Sequence, residues 1–231
     1  MSRALRGETD ASRVPGLQRF FRTARGEYGE GDCFIGVRVP SIRALCLRFE
    51  GASLDSIDEL LHSPIHEARL LALFLMVQAF RAGDEPQKRR IYALYLSRTA
   101  FINSWDLVDS SAPHIVGAWL AQRSHAPLRR LARSKSVWER RIAIVATHYF
   151  IKQRSLEDTF ALADLLLADG HDLIHKAVGW MLREAGDRDP AAARRFLAAR
   201  HVRMPRTMLR YAIEKFPEAE RQKYLTARVT R

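Results

Sequence analysis

The stretch Phe101-Ile102-Asn103-Ser104-Trp105-Asp106-Leu107-Val108-Asp109-Ser110 sets one indole and two carboxylates into an apolar helical pattern. On a helix, Trp105 and Asp109 are four residues apart and lie one above the other on the same face, while Asp106 points elsewhere. Taken alone, this stretch favours a core tryptophan with an aspartate held by a neighbouring arginine, because structural ion pairs are common. Two later segments widen the choice: Trp138-Glu139-Arg140-Arg141 and Lys176-Ala177-Val178-Gly179-Trp180 again combine aromatic and charged groups. Aromatic plates flanking a carboxylate among cations suit a reaction that builds positive charge beside a phosphate backbone. Cleavage of a glycosidic bond does this, passing through an oxocarbenium-like sugar that a fixed anion stabilises and a positioned water attacks. In that chemistry Asp109 is the anion. The guanidinium fork of Arg141 either orients it or holds a flanking phosphate, since its geometry matches both.

Other chemistries find less equipment. His171 and His175 are four apart, but Asp172-Leu173-Ile174 lies between them in place of the Glu-first pattern of a zinc protease, and no third ligand is evident. No metal is expected, and no cofactor. Gly29, Gly31 and Gly36 match neither a P-loop nor a dinucleotide-binding spacing. Ser104, Ser110 and Ser111 stand near His114 without a nucleophile elbow. Of the six lysines only Lys176 is near the candidate residues, so Schiff-base chemistry is not expected.

These side chains must be held by helices. Beyond a polar segment, residues 1–14, expected to be mobile, Pro15 opens a first helix to Gly26 with Leu17, Phe20 and Phe21 inward. Residues 27–39 read as a structured glycine-containing loop, and Pro40 restarts the helix. From there the helical period runs through 53–61, 64–81, 86–99, 102–121 with Pro113 inside, 125–133, 136–153, 155–168, 171–185, 189–199 and 203–216, with no strand candidate. A cation three residues before a small residue recurs as Arg69/Ala72, Arg140/Ala143 and Lys176/Gly179, and Ala212 keeps the small position alone. These spacings give a helix pair of roughly 35–40 residues, close to HEAT-type repeats. The expected fold is an all-α, HEAT-like solenoid forming a single domain over 15–231, with a concave face lined by Arg69, Trp105, Asp109, Arg140, Arg141, Lys176, Trp180 and Arg210. Its 38 Lys and Arg against 26 Asp and Glu give a net charge of +12, which calls for a polyanionic partner, nucleic acid first and an acidic membrane surface second. Two cysteines, Cys33 and Cys46, make no disulfide framework and suit a reducing cytoplasm. No apolar run reaches the length of a membrane span.

Four ordered motifs then carry a resemblance. The segment from Tyr28 to Arg43, followed by Ser104-Trp105-Asp106-Leu107-Val108-Asp109, Trp138-Glu139-Arg140-Arg141-Ile142-Ala143-Ile144 and Lys176-Ala177-Val178-Gly179-Trp180-Met181-Leu182-Arg183-Glu184, resembles the bacterial DNA alkylation repair family of AlkD-type glycosylases over about residues 15–216. The resemblance implies a basic concave cleft that binds duplex DNA and base excision of N3- and N7-alkylated purines without flipping the nucleotide. It implies Asp109 as the catalytic carboxylate, Arg141 as its cationic partner, and Trp105 and Trp180 as plates on the sugar-phosphate backbone. Arg183 is implied as a further backbone contact, with the Tyr28 loop in the part that closes over DNA. Lys176, Arg140, Arg69 and Arg210 complete the expected DNA contacts. The expected protein is a monomer with no obligate protein partner, cytoplasmic and associated with the nucleoid through DNA. Ser104 departs from members that carry a second tryptophan there. The competing reading is a catalytically silent DNA-structure binder, which needs the basic wall but has no use for an acid that repels phosphate.

Overall fold

The computed structural model describes residues 1–226. The chain is all-α and divides into two compact units, the first Met1–Ser111 and the second beginning at Ala112. Among the described residues no strand forms; one isolated parallel bridge joins Cys33 to Ile65.

The first unit holds α1 (Ser2–Arg6), α2 (Val14–Phe20), α3 (Val39–Arg48), α4 (Leu54–Leu61), α5 (His66–Ala82), α6 (Glu85–Ser97) and α7 (Trp105–Ala112), the last ending at the boundary. Its centre is α5, a helix apolar on most sides and therefore buried on most sides: Leu70, Leu71, Ala72, Leu73 and Met76 are shielded by α3, α4 and α6 packed around it. Short polar caps set the boundaries. Ser53 Oγ accepts from Ser56 N ahead of α4, and Asp84 Oδ1 accepts from Gln87 N ahead of α6. Residues 1–14 contain α1 and a 3-10 turn at Ala11–Arg13, with Leu5 as a buried anchor against α3 and α5. The first long helix is shorter than expected. It ends at Phe20, and Arg22 takes a left-handed φ of 52° that turns the chain out of the helix. The loop beyond is fixed by close backbone approach: Gly36, at φ 85°, lies so near Asp10 that a Cβ would come to 1.9 Å of the Asp10 carbonyl oxygen.

The second unit opens with a π-helical turn, Pro113–Gly117, then α8 (Ala118–Leu120), α9 (Ala126–Leu131), α10 (Val137–Ala146), α11 (His148–Lys152), α12 (Glu157–Leu165), α13 (Asp172–Arg188), α14 (Pro190–Arg200), α15 (Arg206–Ala212) and α16 (Glu218–Thr226). The helix expected over 102–121 is thus interrupted at Pro113, which has no N–H for the ladder and forces the wider turn. The repeat appears as two rows. The helices α10, α13 and α15 pack one upon the next, and α9, α12 and α14 lie against them. The recurring small residues fall on the first row: Ala143, Gly179 and Ala212 are all buried. At the α13–α15 crossing a Cβ on Gly179 would meet the Met208 carbonyl oxygen and the Tyr211 Cβ, each at 2.5 Å. Gly179→Ala is therefore expected to destabilise the protein by about 1–3 kcal/mol, the usual cost of overpacking, since rigid backbone has to give way. Chemical denaturation checks this, and an unchanged midpoint refutes it. The final helix, α16, had no expectation, because its polar surface leaves no buried residue to produce a period.

Candidate functional site

Trp105 opens α7, and Asp109 follows one turn later, so the two share a half-buried face of that helix. An aromatic cluster supports the indole: Phe21 stacks on it at 5.4 Å and 15°, and Phe20 meets it edge-on at 5.7 Å. Phe20, expected inward, is 63% exposed; Phe21 is the ring that enters the core. Asp109 stands close enough to the buried Tyr95 to act on its hydroxyl. Burial first, then this carboxylate, push the Tyr95 hydroxyl upward against a 2.8 Å hydrogen bond with Ser111 Oγ. Tyr28 is half-buried, and its hydroxyl donates to the Phe20 carbonyl at 3.5 Å.

Asp106, one residue past Trp105, does leave the Trp105–Asp109 face. Its Oδ2 is 2.8 Å from His66 Nε2, while His66 Nδ1 is 2.7 Å from Asp32 Oδ2. Arg69, expected among the DNA contacts, joins the same network. It is 5% exposed, with Nη2 on Asp32 Oδ1 at 2.8 Å and Nη1 on the carbonyls of Ser63 and Pro64. Burial opposes ionisation of Asp32, yet His66 and Arg69 outweigh it and hold the carboxyl below its usual range.

In the second unit, Arg140 repeats the task of Arg69 at the same turn of its own helix. Its Nη1 donates to the carbonyls of Ser134 and Lys135, and its Nε pairs with Asp169 at 2.6 Å, so it too ties the start of its helix to the preceding loop. The third copy of this device is His175, whose Nε2 reaches the Asp169 carbonyl at 2.5 Å. Arg141 is 5% exposed and donates from Nη1 to the Leu173 carbonyl at 2.6 Å. Lys176 pairs with Asp172 on its own helix at 2.7 Å. Trp180 is half-buried, and its Nε1 donates to Glu184 Oε1 at 3.0 Å. Arg183 is drawn to Glu184 at 3.6 Å and forms an ion pair with Glu214, which brings it beside the Trp180 cluster. His148 lies 5.6 Å from the Trp180 ring, and burial, with Lys152 and Arg188, favours its neutral form over the opposing pull of Glu184. Arg210 is exposed on α15.

Sequence reasoning missed Asp32 and His66 as the partners around Asp106, and Glu184 as the partner of Trp180. Glu184 follows Trp180 by one turn and was legible on that ground; Asp32 and His66 lie in a loop and at a helix start, where no periodicity marks them. His171 Nδ1 accepts from Leu173 N at 3.1 Å and caps α13. Among the described residues no group of three or more His, Cys, Asp or Glu stands as a metal site, and no helix is long and apolar enough to cross a membrane.

A comparison with curated proteins finds no match. Two solved structures share the fold. One is a predicted DNA alkylation repair enzyme from Enterococcus faecalis, 14% identical, with a TM-score of 0.70 over 91% of this chain and 98% of that one. The other is AlkD2 from Streptococcus mutans, also 14% identical, with a TM-score of 0.55 over 90% and 98% of the two chains. The family model described as DNA alkylation repair enzyme matches residues 1–216, the span that carries both tryptophans, Asp109 and Arg141, and the chain belongs to that family.

Proposed function

We propose that this protein is a monofunctional DNA glycosylase that hydrolyses the N-glycosidic bond of N3- and N7-alkylated purines in duplex DNA. The observation that carries the reading is the pairing of Trp105 with Asp109 on one face of α7, in a chain of the DNA alkylation repair family. Asp109 stabilises the oxocarbenium-like sugar as the base departs and orients the attacking water. Trp105 lies against the sugar-phosphate backbone at the lesion, and Trp180, Arg141, Arg183 and Lys176 of the second unit are contacts to the backbone. Arg210 is a further phosphate contact by its exposure and charge. Because grip on the backbone does not need the base extruded, the nucleotide stays in the stack.

The test is release of free 7-methylguanine or 3-methyladenine from alkylated duplex by the purified protein, with the strand staying uncut until the abasic product is treated with alkali. Binding without release favours the silent DNA-structure binder. Binding itself is expected to fall steeply with salt and to show little sequence preference, on the order of a 10³-fold loss between about 50 and 200 mM salt for about six neutralised phosphates. An affinity that ignores salt removes the electrostatic basis for a DNA substrate.

A further inference from the structure

Three parts of the first unit meet at His66. It is the first residue of α5, it is 2% exposed, and its two ring nitrogens face Asp32 of the glycine-containing loop and Asp106 in the first turn of α7. An ionised carboxylate can only accept, so two such bonds need two N–H groups, which only the imidazolium has. The surrounding charges leave this cation a specific job. Asp32 is shared with Arg69, whereas Asp106 Oδ1 is buried with no hydrogen-bond partner among the described residues, so His66 is the cation that balances Asp106. Glu67, the next residue on α5, turns instead to the backbone N–H groups of Ile35 and Gly36.

The same ring lies in an aromatic stack. Phe34 covers it at 4.5 Å, Phe21 approaches at 4.8 Å, and Phe21 in turn stacks on Trp105 at 5.4 Å. His66 therefore reaches Trp105 by two routes: through Asp106, the next residue in the chain, and through Phe21, the ring against the indole.

We propose that His66, as an imidazolium clamped between Asp32 and Asp106, is the positioning residue for Trp105, fixing the first turn of α7 and the plane of the indole. The inference rests on the reading of Trp105 as the plate that meets the sugar at the lesion; the clamp itself does not depend on that reading. Its pH dependence follows from the charge balance. Burial disfavours the cation, but Asp106 and Asp32 outweigh it and raise the His66 pKa to about 9. Below that value both hydrogen bonds hold. Above it one ring nitrogen turns a lone pair toward a carboxylate, one arm of the clamp opens, and the indole loses its fixed setting. The stability that the clamp contributes follows the same course: complete below the ordinary histidine value of 6.5, it is lost as pH rises through about 9.

The experiment uses full-length protein labelled with 5-fluorotryptophan, whose four tryptophans give four fluorine resonances, that of Trp105 being identified by Trp105→Phe. The Trp105 resonance is expected to titrate with a midpoint near pH 9 while those of Trp119, Trp138 and Trp180 stay outside that transition. Asp106→Asn keeps the shape and removes the charge, and is expected to show the high-pH Trp105 resonance already at pH 7. On alkylated duplex the same variant is expected to lose roughly tenfold in kcat with a smaller change in KM, as for a displaced positioning group. A Trp105 resonance that is flat from pH 7 to 10 and unchanged in Asp106→Asn overturns the proposal, and so does a shift shared by all four tryptophans, which marks general unfolding. His66→Gln adds a third arm; if it fails to fold, the wild-type titration and Asp106→Asn still decide. The resonance needs no DNA, so a protein that releases no base but shows the local titration defeats the glycosylase reading alone.

Discussion

Asp109→Asn lowers the rate of base release by about 10²–10³, the usual consequence of removing one preorganised electrostatic group from a site of developing charge. The amide keeps the size and half-buried position of the carboxylate on α7 but no longer opposes the positive charge that forms on the sugar. Binding to undamaged duplex holds or improves, because a negative charge that repels phosphate has gone. Circular dichroism and the denaturation midpoint check that the variant keeps the wild-type fold. Single-turnover release of 7-methylguanine, set beside fluorescence anisotropy on undamaged duplex, separates the two effects. Arg141→Ala behaves differently: it loses both affinity and rate, and it also forfeits its bond to the Leu173 carbonyl, so its circular dichroism and denaturation midpoint need to be compared with wild type. Asp106→Asn loses far less than Asp109→Asn. Equal losses from the two aspartate variants, or an Asp109→Asn enzyme that releases base at the wild-type rate, remove Asp109 from the chemistry.

The contrast between these two aspartates shows how far the sequence could be read. Helical spacing separates Asp109, on the Trp105 face, from Asp106, and the two indeed have different surroundings. Nothing in the spacing announces the destination of Asp106, because His66 and Asp32 come from 40 and 74 residues away and only the folded loop brings them together. The recurring cation and small residue were legible as a repeat, and Ala143, Gly179 and Ala212 are all buried on the first row of the second unit, Gly179 at a helix crossing. The charge in the pattern was harder to interpret. Arg69 and Arg140 recur because each ties the start of its helix to preceding loop carbonyls and to an aspartate from another segment, a structural role that looks the same in sequence as a phosphate contact. Composition counts such arginines toward the basic excess although their charge is already paired. Lys176, third in the sequence pattern, escapes that role because the equivalent contact is made by His175, and it stays only half-buried beside Asp172. Helix ends were the other weak point. Pro113 was visible, but whether it would bend, break or widen the helix depends on where the freed carbonyls find partners, and the outcome was a π-turn.

Selectivity for charged lesions is the second large effect, and it follows from the chemistry available to Trp105 and Asp109. An ionised carboxylate stabilises the sugar but has no proton to give the departing base. A purine alkylated at N3 or N7 already carries a formal positive charge and leaves as a neutral molecule, so it needs no acid. Hypoxanthine and 1,N6-ethenoadenine are uncharged, and without protonation they depart as anions. The difference in leaving ability is not one that a single anion can offset, since an anion beside the sugar stabilises positive charge and does nothing for negative charge on the base. Duplexes carrying 7-methylguanine or a bulky cationic N3-alkyladenine are therefore expected to be processed, and the two neutral lesions to be refused by at least about 10²-fold, the contribution typical of a missing general acid. Adduct size is expected to matter little, because contacts to the backbone set no fitted pocket around the base, unlike an enzyme that extrudes its target. The measurement is single-turnover release of each free base from otherwise identical duplexes. The neighbouring groups give the result a second use. The imidazolium of His66 is a buried cation one ring away from Trp105, yet both of its N–H bonds are committed to Asp32 and Asp106. Efficient release of a neutral base at pH 7 that disappears above about pH 9 assigns a general acid to His66 and overturns its confinement to positioning; release that persists across that range points to an acid elsewhere; refusal of both neutral lesions leaves Asp109 acting on the sugar alone.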